Sequence, residues 1–270
     1  MARISTAVRF ALLMVGLGFV IFPFVWMIST SLRPEREVFA LTLWPSEIMW
    51  SNYRDAWRAA PFARFFLNSF IIAIVGTGLA VYLNAMSGHA FSAYRFRFKN
   101  ALFLTFLATM MIPGQVTMIP VFLIINSLGW VNSYAGVIVP GLASAFGTFM
   151  LRQQMGTLPR DLLEAARIDG CGELGLFHRI VLPLSGPVLA AFTILMFVAE
   201  WNAFLWPLIV LNKPQMFTVQ IGLQRFVGQY DVTYSHLMAM SVLSLAPILL
   251  VFLAFQKYLV QGIATTGIKN

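Results

Sequence analysis

Six runs of this chain, 10–28, 68–86, 101–125, 134–150, 185–211 and 236–259, are almost free of charged residues. Each is close to the ~20 residues that carry an α-helix across a hydrocarbon core. Lipid offers the backbone no hydrogen-bond partners, so each run must satisfy its own N–H and C=O groups as a helix. The sequence therefore predicts an all-α, polytopic membrane protein with six transmembrane helices, forming a single transmembrane domain over 1–270. Composition agrees, with 59% hydrophobic and 10% charged residues, against about 25% charged in soluble domains. The first run is longer than a signal-peptide core and no small-residue cleavage site follows it, which reads as a retained span.

The intervals between the runs set the orientation. Six crossings return the chain to the side on which it began. That side carries Arg3, Arg9, Arg95, Arg97, Lys99, Arg152, Arg160, Arg167, Arg179, Lys257 and Lys269, and the other carries Arg33, Arg36, Arg54, Arg58, Arg64, Lys213 and Arg225. The five Arg of the long 33–64 interval are nearly offset by Glu35, Glu37, Glu47 and Asp55. The positive-inside rule then places both termini and the 151–184 interval in the cytoplasm. The 33–64 interval holds Trp44, Trp50 and Trp57, which suit a membrane interface or contact with a solute, and a short helix over 51–60 is expected along the outer surface.

Several chemistries are excluded. The net charge of +8 is accounted for by these topology-setting cations, and no aromatic-rich basic face for nucleic acid accompanies it. Cys171 is the one cysteine, and His89, His178 and His236 lie far apart in sequence, so no metal-ligand spacing occurs. No G-x-x-x-x-G-K-[ST] is present; if ATP drives this protein, another subunit binds it. The motifs H-E-x-x-H and G-x-S-x-G are also missing.

Two runs are irregular. M-I-P-G-Q-V-T-M-I-P (111–120) places two prolines and a glycine inside one span, which either kinks it or lets it line a cavity. Glu200 lies about halfway along the fifth run in F-V-A-E-W-N-A-F-L-W-P. A carboxylate at such depth faces a bundle interior or a water-filled cavity. One reading of Glu200 is the ion-carrying group of a self-sufficient ion-coupled transporter or channel.

The longest polar interval of the second half, P-R-D-L-L-E-A-A-R-I-D-G-C-G-E-L-G-L-F-H-R-I-V-L-P (159–183), is patterned as two short helices and a turn. Pro159 suits the first helical position, Asp161 and Arg167 stand in the favourable order for the helix dipole, and Gly170 suits a left-handed C′ position. Leu162, Ala165, Ala166 and Asp169 define a narrow, mostly small-residue face able to press into a groove. A second helix over about 173–180 is expected to halt at Pro183.

Glu164-Ala165-Ala166, three residues, Gly170, nine residues, then Ile180-Val181-Leu182-Pro183 resemble the EAA loop of the membrane subunits of bacterial ABC importers, with all seven fixed positions present. N-S-F (68–70), M-I-P (111–113), Phe149 to Arg152 and E-W-N…W-P (200–207) are similar to the carbohydrate-uptake branch, in particular the smaller permease subunit of maltose-type and glycerol-phosphate-type importers. The resemblance implies a type I ABC importer permease fold in a bacterial cytoplasmic (inner) membrane. It implies a second homologous permease subunit, two ATPase subunits and an extracytoplasmic substrate-binding protein as partners. ATP and magnesium would be bound by the ATPase, leaving this chain a non-catalytic subunit without a cofactor of its own. Glu164, Ala165, Ala166, Gly170, Ile180, Leu182 and Pro183 would form the element that docks on the ATPase. A sugar cargo needs hydrogen-bond partners beside an aromatic face. Gln115, Glu200, Trp201, Asn202 and Phe204 are the candidates, with cross-subunit pairing of Glu200 and Asn202 as the alternative role.

Overall fold

The computed structural model describes residues 6–229 and 233–266, and Arg3 and Lys269 of the charge count lie outside them. Every regular element among the described residues is helical: α1 (Thr6–Ser31), α2 (Ser51–Ala59), α3 (Phe62–Ala93), α4 (Lys99–Ala108), α5 (Gly114–Ser127), α6 (Tyr134–Ile138), α7 (Ala145–Met155), α8 (Arg160–Ile168), α9 (Glu173–Leu176), α10 (Leu182–Leu184), α11 (Gly186–Trp201), α12 (Leu205–Val210), α13 (Val219–Gln229) and α14 (Tyr234–Thr266). Val8–Ser31, Phe62–Ala93 and Tyr234–Tyr258 are each long and apolar enough to cross a membrane alone. The third and fourth expected spans are bent pairs, and a third bent pair joins Glu173–Leu184 to Gly186–Trp201, the first part of the fifth.

The third expected span is broken outright. Pro113 forces Ile112 into an extended conformation (φ −89°, ψ 115°), because a residue before proline is excluded from the helical region. Helices Lys99–Met111 and Gly114–Ser127 consequently meet at 103°. The fourth run, read as one helix over 134–150, is also divided, with Tyr134–Gly141 and Ala145–Met155 meeting at 48°. Ser144 caps α7 by accepting from Gly147 N at 3.0 Å. The buried Asn84 of α3 fills the gap. Its Nδ2 donates to Ala80 O (2.6 Å) and Leu142 O (2.8 Å), and its Oδ1 accepts from Ser144 N and Thr148 Oγ1 (both 3.0 Å). The fifth run is likewise not one helix. α11 ends at Trp201 and α12 resumes at Leu205, so Glu200 stands in the last turn of α11, next to a break in the helix.

The chain divides into two compact units, Met1–Ala63 with Ile221–Ala246, and Arg64–Gln220 with Pro247–Asn270. In the first, the fully buried Arg33 organises the segment between α1 and α2. Its guanidinium donates to Glu37 O (3.2 Å), Ala40 O (2.9 Å), Thr42 O and Ser29 Oγ (3.2 Å), and lies 5.0 Å from the Trp26 ring centroid. Asn52 of α2 donates to Ser31 O and Arg33 O at 2.9 Å each. The Glu35 carboxylate accepts from Tyr234 N and Ser235 N at 3.0 Å each, satisfying orphan amides at the start of α14. Burial pushes the Glu35 carboxyl up, but these amide bonds outweigh it and hold it below its ordinary value. The expected short helix at 51–60 is α2, and a further helix, α13, lies between the fifth and sixth apolar runs. Trp44 and Trp50 are exposed, at 77% and 69%.

In the second unit, one buried cluster joins Ala85 of α3, Leu151 and Met155 of α7, Leu163 and Ala166 of α8, Leu176 of α9, Phe177 and Val181 after it, and Val188 and Phe192 of α11. On α3, Asn68 donates to Gln215 O and Phe217 O (2.9 Å each) and accepts from Tyr134 Oη (2.7 Å), while Ser69 Oγ accepts from Val219 N (2.9 Å). The N-S-F motif therefore anchors the 215–219 segment.

Candidate functional site

The 159–183 interval folds as a braced helical hairpin. Pro159 is the residue before the helix (φ −58°, ψ 125°), one position earlier than expected, and α8 follows with Asp161 in its first turn and Arg167 in its last. The helix ends in a Schellman arrangement. Cys171 N donates to Ala166 O (2.9 Å), Gly170 N donates to Arg167 O (3.0 Å), and Gly170 adopts φ 82°. The expected narrow face is split: Leu163 and Ala166 are buried, while Leu162, Glu164, Ala165, Ile168 and Asp169 face outward, Ile168 at 86% exposure.

The second limb departs from expectation. It does not stop at Pro183; α9 continues through a π-helical turn, Phe177–Val181, into α10, which contains Pro183. The wider turn has no i−4 hydrogen bond to break and relieves the ring's clash with the preceding carbonyl. The bend of 82° comes only after Leu184. Ile180 and Leu182 pack on the buried cluster, so these motif positions hold the loop rather than present it, whereas Pro183 is exposed.

A three-residue clamp ties the limbs together. Arg167 Nε and Nη2 donate to the two Glu173 oxygens (2.8 and 3.2 Å), and Tyr94 Oη, just beyond α3, donates to Glu173 Oε2 at 2.6 Å. The bond from Arg167, helped by that from Tyr94, lowers the Glu173 carboxyl to about 2. Burial and the same carboxylate push the Tyr94 hydroxyl up to about 12. The clamp is therefore fully present above the ordinary carboxylate value of 4.5 and is lost only as pH falls from there towards about 2. Beside it, Arg95, Lys99, Arg160, Arg167 and Glu164 line a recess of about 420 Å³.

The second candidate region surrounds Glu200. It lines a cavity of about 310 Å³ together with Gly114, Thr117, Val137, Gly141 and Trp206. Trp201, expected beside it, is buried in the opposite direction, its ring 4.9 Å from Phe70 and 5.9 Å from Phe197. Asn202 turns back to donate to Val198 O at 3.0 Å. Gln115, Asn202 and Phe204 are not among the lining residues. The aromatic ring that does line the cavity is Trp206, whose Nε1 donates to Val137 O at 3.2 Å.

Residues 76–265 match the family described as "Binding-protein-dependent transport system inner membrane component". The chain belongs to this family. Among relatives of this inner-membrane-component family, the arabinooligosaccharides transport system permease protein AraQ of Bacillus subtilis (strain 168) is 36% identical over 255 residues, covering 93% of this chain and 91% of that protein. The sn-glycerol-3-phosphate transport system permease protein UgpE of Pectobacterium atrosepticum is 35% identical over 263 residues, covering 93% of each. A chain from the crystal structure of a bacterial ABC transporter involved in the import of the acidic polysaccharide alginate shares the fold, with TM-score 0.84 at 22% identity over 96% of this chain and 100% of that one. As an inner-membrane component, the chain is a permease subunit and not itself the enzyme of its transport system.

Proposed function

We propose that this chain forms half of the translocation pore of an ATP-binding-cassette importer for a sugar or related solute, and that α8 docks on the importer's ATPase. In this reading the chain is one permease domain over 1–270. It crosses the membrane six times, through α1, α3, the α4–α5 pair, the α6–α7 pair, α11 with α12, and α14, with both termini in the cytoplasm. A homologous permease completes the pore, two ATPase subunits bind ATP and magnesium, and an extracytoplasmic binding protein delivers the cargo. The relatives named for arabinooligosaccharide and for glycerol-phosphate transport give the cargo class.

One observation carries the docking role. α8 turns Leu162, Ala165 and Ile168 outward beside Glu164, while its other side is fixed by Leu163 and Ala166 in a cluster shared with α3, α7 and α11. A helix docked through the outer face cannot shift without displacing those spans, because packed interiors do not deform continuously. Closure of the ATPase dimer on ATP then rocks the spans between inward- and outward-open states. Glu164, Ala165 and Gly170 make or shape the docking surface, Ala166, Ile180 and Leu182 hold it, and Pro183 lies just before the bend into α11. Glu200 lines the pathway.

The clamp gives a direct test. Glu173→Ala is expected to lower cargo moved per ATP hydrolysed several-fold at neutral pH. Glu173→Gln falls in between, since its amide oxygen still accepts from Tyr94 without the charge-assisted pair to Arg167. Uptake and ATPase assays on the same proteoliposomes check this; equal coupling in all three proteins would remove the clamp from the mechanism.

A further inference from the structure

The recess beside the clamp holds more positive charge than the fold uses. Of its lining cations, Arg167 is paired to Glu173, and Lys99 is fixed in place by donating to Ser92 O (3.3 Å) and Tyr94 O (2.8 Å). An ammonium has three donors, so one stays free. Arg95 and Arg160 are exposed, and among the described residues neither is ion-paired. Arg95, Lys99 and Arg160 therefore face Glu164 alone, an excess of two positive charges around about 420 Å³. Arg152, whose guanidinium lies 3.7 Å from the Phe103 ring centroid, adds to the repulsion that Arg95 and Arg160 exert on Lys99. Like charges gathered in this way are unfavourable, and a bound anion relieves them.

The same cations border an apolar space. Arg95 and Lys99 also line an adjoining cleft of about 370 Å³, whose other walls include Phe96, Phe98 and Ala101. Phe98, at φ 63°, leads the chain into α4 with 64% of its surface exposed, and Leu102 and Leu104 of α4 are exposed beyond it. A free phosphate would use the cationic recess only, whereas a phosphate joined to an apolar body uses both spaces. We infer that the two clefts form a binding site for an anionic phospholipid. Its phosphate lies between Arg95, Lys99 at the start of α4, and Arg160 of α8, and its glycerol and upper acyl chains lie against Phe96, Phe98 and the first turns of α4. This rests on α4 beginning a membrane crossing at the cytoplasmic surface, as proposed above, where anionic headgroups are within reach. The guanidinium groups take phosphate oxygens by paired N–H bonds, and the ammonium acts as a point charge. The bound lipid ties α8 to the membrane surface and so steadies the helix that would meet the ATPase.

The test uses the assembled importer in phosphatidylcholine nanodiscs containing a trace of photoactivatable phosphatidylglycerol, with the labelled peptides mapped by mass spectrometry. Label is expected on the segment that begins α4 and on the segment that begins α8. It is expected to be competed by unlabelled phosphatidylglycerol and to survive excess phosphatidylcholine and inorganic phosphate. Arg95→Gln and Arg160→Gln are each expected to reduce it about fivefold. Arg97→Gln removes a cation from the same turn that lines neither cleft, and is expected to change it less than about twofold. Absence of label from both segments overturns the inference, as does equal competition by phosphatidylcholine. Displacement by inorganic phosphate would make this a site for a free anion and overturns the lipid assignment. A loss with Arg97→Gln as large as that with Arg95→Gln would reduce the effect to general surface attraction and overturns it too. ATP-driven uptake by the same assembly in proteoliposomes reports separately on the importer reading, so uptake without specific label rejects the lipid site alone.

Discussion

Replacing Gly170 by valine is expected to cut ATP-driven uptake about tenfold while the protein still inserts into the membrane. Gly170 ends α8 at φ 82°, and its amide and that of Cys171 close the helix onto Arg167 O and Ala166 O. A side chain in the left-handed region costs roughly 1–2 kcal/mol, more for a β-branched one, and ~1.4 kcal/mol is a factor of ten in an equilibrium. Space is not the problem, since nothing lies within 4 Å of a Cβ built there; the strain is in the backbone alone. Gly170→Asn, which tolerates this conformation, is therefore expected to retain most activity, and Gly170→Ala to fall between. Uptake of labelled cargo by cells with matched membrane levels of each variant checks the order. Equal uptake for glycine and valine would mean that the turn does not set the position of α8.

The second large effect is expected at Gly136→Ala. A Cβ at this position would stand 2.3 Å from the carbonyl oxygen of Trp130 and 3.1 Å from Ile125 Cγ2. The nearer atom is backbone, so the 130–133 turn must move away from α6 as a whole. Overpacking of this kind costs about 1–3 kcal/mol. The displacement reaches the cavity directly, because the next residue, Val137, lines it and accepts from Trp206 Nε1. The purified complex is expected to unfold several degrees lower and to lose cargo affinity. Gly78→Ala, with nothing within 4 Å of its Cβ, is the matched control and is expected to behave as wild type. Identical melting curves for the two variants would contradict the close approach at Gly136.

What could be foreseen from the sequence was what local chemistry dictates. Gly170 as a left-handed terminator and the irregularity of 111–120 follow from backbone preferences of glycine, of proline and of the residue before it, the short helix at 51–60 was foreseen from its polar, Trp-bearing interval, and the structure has all three. The break in the fourth run was hidden because it depends on Asn84, some 60 residues earlier in sequence, bonding to Leu142, Ser144 and Thr148. α13 was hidden for a similar reason. Its apolar residues Val219, Ile221 and Phe226 are buried, but in sequence they are diluted by glutamines and glycines. At Pro183 a local rule was overridden by the π turn that accommodates the ring. Around Glu200, adjacency in sequence misassigned the aromatic partner. Trp201 shares a helix face with Phe197, four residues earlier, and stacks on it, whereas Trp206 reaches the cavity only because the chain turns at 202–204. The spacing of Phe197 and Trp201 was the available signal.

The central claim, that the outward face of α8 is seated on an ATPase, is tested most directly by cross-linking. Ala165 is exposed on that face, and the single native cysteine is Cys171. In a Cys171→Ser background, Ala165→Cys carrying a short photoactivatable thiol reagent is illuminated within the assembled importer. The expected product is a covalent adduct between this chain and the nucleotide-hydrolysing subunit, reduced when Leu163→Cys, on the buried side of the same helix, is labelled instead. An adduct only with lipid or with the extracytoplasmic binding protein, formed equally well from either position, would contradict the account.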